Sequence, residues 1–182
     1  MQEEGSAVHK FVYSNALVEF VKAANEYCSF QEELKGTEGK LFIATSVSQL
    51  AEIYSLFLEI GETEPVFDTP PEPTVTEPEW SALFQRIALI LGASNDILRV
   101  ADEDEFDRSE LTNHTISEDM ADVYQELRDF TVIYSRGLEE LMNDAAWEMK
   151  LRFAEHWGAK LLRALSALHQ LYVNNVDPSQ EE

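Results

Sequence analysis

The 182 residues predict an all-α protein, an up-and-down helical bundle of four to five main helices. Three observations carry this expectation. Apolar residues recur at spacings of three and four over most of the chain, strand-like alternation is missing, and helix start and stop signals punctuate the periodic runs. The clearest pattern lies between Ser117 and Val173, which reads as an antiparallel helical hairpin.

The chain opens with a polar, acidic leader over residues 1–12 that is expected to fray. Ser14 or Asn15 then caps a first helix to about Leu34, with Leu17, Phe20, Val21, Ala24, Tyr27 and Cys28 in one stripe. A second helix, residues 38–60, places Ile43, Val47, Leu50, Tyr54 and Phe57 on an apolar seam and stops at Gly61. Five of the six prolines fall between Glu62 and Glu79. No helix can run through them, so 62–79 predicts an extended, solvated and mobile connector. Thr76-Glu77-Pro78-Glu79 is a capping box with proline in the first turn, and it launches a third helix through Trp80, Leu83, Ile87 and Leu91 to Gly92. Residues 93–116 predict a long, partly ordered loop, with Ile97, Leu98 and Val100 as anchors and a charge run from Asp102 to Glu110.

In the hairpin, Met120, Val123, Tyr124, Leu127, Phe130, Thr131, Tyr134 and Leu138 fall within an arc of roughly 120°. Ser117 offers the N-cap and Gly137 the residue just past the C-terminal end. The second arm starts at a capping Asn143 and continues through Trp147, Phe153, Trp157, Leu161, Leu165 and Leu168 to Tyr172. It is apolar over more than half its circumference, which predicts a place at the bundle centre. Gly158 in mid-helix predicts another helix packed close against it. Asp177-Pro178 ends the arm before a polar tail, residues 177–182, and the whole chain is expected to form one domain.

Charge and composition narrow the function classes. With 35 acidic against 13 basic residues the net charge is −22, so phosphate backbones and anionic lipid surfaces should repel the protein. Nucleic-acid and membrane binding are therefore not expected. Residues 62–79 hold six acids and no base, which concentrates part of that charge in the connector. The single Cys28 excludes an intramolecular disulfide and reads as a small buried hydrophobe. No apolar run reaches the 18 or so residues needed to span a bilayer, and the opening residues lack a secretory pattern, so a cytoplasmic location is expected.

The run Ile116-Ser-Glu-Asp-Met-Ala-Asp-Val-Tyr-Gln-Glu-Leu-Arg-Asp-Phe130, then Met142-Asn-Asp-Ala-Ala-Trp-Glu-Met-Lys-Leu-Arg-Phe-Ala-Glu-His-Trp-Gly158, resembles a bacterial family of small helical proteins catalogued as a domain of unknown function. The opening Phe11-Val-Tyr-Ser-Asn is also similar to that family's first helix. The resemblance implies a shared bundle fold and brings no activity, cofactor or partner.

No Glu-x-x-His pair of the di-iron type, Gly-rich phosphate loop, Gly-x-Ser-x-Gly elbow or His-Glu-x-x-His motif is present, so neither a cofactor nor a metal site is expected. Glu118-Asp119-x-x-Asp122 with Glu126-x-x-Asp129 is superficially similar to the Mg²⁺ cluster of helical pyrophosphohydrolases. Helical spacing puts Asp119, Asp122, Gln125, Glu126 and Asp129 opposite the apolar arc, which predicts a solvated acidic face. Two lysines break the apolar pattern of the last arm. Lys150 and Lys160 both point inward at 100° per residue, and Lys150 is expected to meet a carboxylate or a carbonyl cluster of another helix. The alternative is a small-molecule-binding or enzymatic pocket between the last two helices, with Lys150, Lys160, His156 and Trp157 as its binding residues. The leading expectation is a non-enzymatic interaction module whose acidic loops meet a basic protein partner.

Overall fold

The computed structural model describes residues 2–97 and 114–180. Its helices are α1 (Gln2–Val12), α2 (Asn15–Glu32), α3 (Gly39–Phe57), α4 (Glu77–Leu91), α5 (Ile116–Tyr134), α6 (Glu139–Arg152) and α7 (Gly158–Val173). Short 3-10 turns follow α4 at Gly92–Asn95 and close the described chain at Pro178–Gln180. A single π turn, Phe153–Trp157, joins α6 and α7 into one rod.

The hydrophobic stripes found in the sequence set the packing. α2 and α3 form a hairpin, pairing Phe20 with Phe57 and Phe30 with Phe42. α3 lies along α7, while α5 runs through the middle against α2, α4, α6 and α7. Leu17, Phe20, Leu50, Ile53, Ile87, Leu127 and Trp157 are wholly buried where these elements meet. Tyr27, also buried, donates its hydroxyl to the Met120 carbonyl at 3.1 Å, so α2 and α5 are tied inside the core by a satisfied polar group.

Several expectations need correction. The leader is helix α1, not a frayed end: it packs on α6, Val12 is fully buried, and His9 Nδ1 lies 2.8 Å from Glu139 Oε1. Tertiary docking supplies what a short helix lacks in isolation. Thr115, not Ser117, caps α5. Ser117 is buried and exchanges two 2.9 Å hydrogen bonds with Asn95, clipping the turn after α4 to the start of α5. Asn143 is not a cap either, because α6 begins four residues earlier and Asn143 lies buried within it. Gly137, at φ 73°, supplies the left-handed turn between α5 and α6, whereas Leu138 is exposed and outside the α5 stripe. The tail packs too: Pro178 is buried and would touch a Cβ placed on Gly39 at 2.8 Å. Ile97 packs on the core and donates its amide to the His114 carbonyl at 3.0 Å. Leu98, Val100 and the Asp102–Glu110 charge run lie outside the described residues.

The π turn is the main departure in the last arm. Met149, Phe153, Trp157 and Leu161 follow one another at intervals of four, which drifts by about 120° under the α period. One extra residue in a turn absorbs most of that drift. The Gly158 amide bonds to the Phe153 carbonyl, five residues back. The close neighbour of Gly158 is therefore not another helix, as expected from sequence, but Phe153 itself: an added Cβ would lie 2.6 Å from its carbonyl oxygen and 3.0 Å from its ring. The turn stacks Phe153 on Phe57 and sets Trp157 edge-on to both.

Candidate functional site

On α5, Asp119, Asp122, Glu126 and Asp129 repeat at intervals of three, four and three, so they share one helix face. That face is not solvated. The α6–α7 rod covers it with three cations, and Asp119 and Glu126 are buried. Arg163 reaches Asp119 with Nε at 2.9 Å and Nη2 at 2.5 Å. Lys160 binds Asp122, which also accepts from Trp80 Nε1 at 2.8 Å. Arg152 grips Glu126 through both Nε, at 2.6 Å, and Nη2. Hydrogen bonds donated to these carboxylates raise the pKa of Arg152 and Arg163 further. The carboxylate ends of these pairs are buried or nearly so while the guanidinium ends reach solvent, so they contribute little net stability but fix the register of the rod on α5.

The fourth carboxylate holds the proline-rich segment. Asp129 Oδ1 accepts from the amides of Thr74 and Val75, at 2.5 and 2.7 Å, and from the Thr74 hydroxyl at 2.8 Å. Further along, Asp144 accepts the Val66 and Phe67 amides at 2.7 and 2.8 Å. Asn143 accepts from the Thr63 hydroxyl and donates to the Glu64 carbonyl at 2.7 Å. Residues 62–75 thus form a strap without helix or strand, as their prolines require; most of it is exposed, as expected, but its backbone is anchored to α5 and α6.

Two of the concavities beside the strap are lined by its prolines. Beneath Pro70, Pro71 and Pro73 lies a cavity of about 160 Å³ between α5 and α6, floored by Phe130, Ile133, Ala145 and Met149 and walled by the Glu126–Arg152 pair. On the outer side a groove of about 410 Å³ runs between Val66-Phe67 and the α6 side chains Trp147 and Leu151.

The residues singled out from sequence are dispersed. Lys150 donates to the carbonyls of Gly61, at 2.6 Å, and Ile60, at 3.3 Å, and sits 3.0 Å from Glu62. These acceptors lie in the segment after α3, not on another helix, so the ammonium ties α6 to the start of the strap. Lys160 serves Asp122 on a different face, because the π turn rotates everything after it by about 100° relative to an unbroken helix. Trp157 is fully buried and donates Nε1 to the Met149 carbonyl at 3.0 Å. His156 is exposed on the π turn. None of the four lines the cavity. Sequence reasoning missed Asp129, Asn143 and Asp144 as anchors. The regular carboxylate spacing on α5, set against Arg152, Lys160 and Arg163 in the facing arm, was a signal for the ion pairs but not for these anchors.

The chemistry on offer is limited. Burial pushes the Cys28 thiol up to about 12, which leaves it un-ionised at neutral pH. Among the described residues no group of three or more His, Cys, Asp or Glu side chains is arranged to hold a metal. No helix among them is long and apolar enough to cross a membrane.

A family profile described as a domain of unknown function, DUF5063, matches residues 11–174. The chain belongs to this family. A crystal structure of a Bacteroides fragilis protein, solved as a structural-genomics target, is similar at 30% identity with a TM-score of 0.79, over 88% of this chain and 94% of that one. No curated protein matches. Family membership therefore upholds the resemblance read from the hairpin and the all-α bundle, and it attaches no activity to either.

Proposed function

We propose that this member of the family is a non-enzymatic interaction module that presents an acidic surface to a basic protein partner. One observation carries the reading. Of 13 basic residues, Lys22, Arg128, Lys150, Arg152, Lys160 and Arg163 are already bound to carboxylates, while the acids outnumber the bases by 22. Five of these six pairs tie one element of the bundle to another, which leaves the surface with a large surplus of acid. Complementary charge then speeds encounter with a basic partner and discriminates against acidic ones. A pull-down at low and high salt tests this: a basic protein released by salt supports it, and salt-indifferent capture or no basic protein counts against it.

A second reading, a small-molecule site, is supported by the cavity under the prolines. At about 160 Å³ it has room for a fragment-sized ligand resting on Phe130 and Met149. A ligand retained through purification and released on denaturation would favour it.

A further inference from the structure

Phe67 and Val66 pose a question of cost. Both are about half exposed, at 48% and 45%, yet their amides are fixed by Asp144, a carboxylate only 2% exposed. A buried acid and its buried neighbour Asn143 are thus devoted to holding an outward-facing apolar pair in one conformation. Opposite that pair stand Trp147 and Leu151, the latter 40% exposed, which complete the groove. Asp68 and Glu148 also line it. An apolar floor with aromatic anchors, an acidic rim and a backbone ordered in advance is the make-up of a binding hot spot, since preorganisation removes the ordering cost from the binding step.

We propose that this groove docks a basic polypeptide segment of the partner, with one bulky apolar side chain seated between Phe67 and Trp147 and flanking Lys or Arg residues meeting Asp68 and Glu148. The assignment rests on the acidic-module reading and gives it a location. Charge complementarity selects the occupant: a second copy of this chain would bring acids against the same rim and be repelled.

The test selects a random peptide display library on the intact protein. Recovered peptides are then titrated by fluorescence polarisation, in low and high salt, against wild type, Phe67→Ala, Glu148→Lys and Leu89→Ala. Leu89 is 83% exposed on α4 and serves as a control for apolar surface elsewhere. The expected peptides carry Lys or Arg around one aromatic or aliphatic residue, bind more weakly in high salt, lose about tenfold or more affinity on each groove variant and are indifferent to Leu89→Ala. Basic, salt-sensitive peptides that bind the groove variants as well as wild type would overturn the groove and leave the acidic-module reading standing. Recovery of only neutral or acidic peptides, or of none, would overturn both. A concentration-dependent rise in mass abolished by Phe67→Ala would give the groove to a second copy and overturn the basic partner. Circular dichroism melts of each variant confirm that the fold is kept.

Discussion

Replacing Gly158 by alanine sets two physical effects against each other. Helix propensity favours alanine over glycine by about 1 kcal/mol in a helix interior. Against that, the new methyl group would lie 2.6 Å from the Phe153 carbonyl oxygen and 3.0 to 3.1 Å from two atoms of the Phe153 ring. The ring is stacked on Phe57 at 3.8 Å and cannot swing away freely. The carbonyl is backbone and accepts the Gly158 amide, so relief requires opening the π turn or displacing the rod from Phe57. Overpacking of this kind costs about 1–3 kcal/mol and outweighs the propensity gain. Gly158→Ala should therefore lower stability by up to about 2 kcal/mol net, and Tm by up to about 8 °C for a chain of this size. Thermal melts followed at 222 nm measure it, with Ala159→Gly as the exposed control that should lose only the usual propensity. A Gly158→Ala protein that melts at or above wild type would refute the claim that the approach of Phe153 demands glycine.

Other substitutions probe the polar anchors. Lys150→Met leaves the Ile60 and Gly61 carbonyls without their ammonium, and charged hydrogen bonds of this type contribute about 1.5–3 kcal/mol, so urea unfolding should show a clear loss; an unchanged midpoint would mean that the contact adds nothing. Asp144→Asn turns one acceptor into a donor facing the Val66 and Phe67 amides, and limited proteolysis should then cut within 65–69 faster than in wild type, with cleavage at an unaltered rate counting against the strap. Gln31 is fully buried and neither side-chain amide atom has a hydrogen-bond partner among the described residues, so Gln31→Leu should stabilise by about 1–3 kcal/mol and raise Tm, and a lower Tm would show that the amide is serving a contact.

The sequence by itself determined the helical class, most helix spans and the core. Periodicity records which side of a helix is buried, and local signals such as the Thr76–Glu79 capping box act through neighbours in the chain. It also determined that an inward Lys150 must meet carbonyls or a carboxylate, because an unpaired buried charge is too costly to keep. Only the tertiary structure decided what faces the polar sides. The acids of α5 looked solvent-bound because they lie opposite an apolar arc, but a helix at the centre of a bundle is covered all round, and Arg152, Lys160 and Arg163 arrive from an arm 26 to 44 residues away. The proline-rich strap looked mobile for the same reason: its anchors are Asp129, Asn143 and Asp144, remote side chains that no local pattern reveals. The π turn was legible in part, as three successive spacings of four. Its stacking of Phe153 on Phe57 was not, because that contact is made only when α3 packs against the rod.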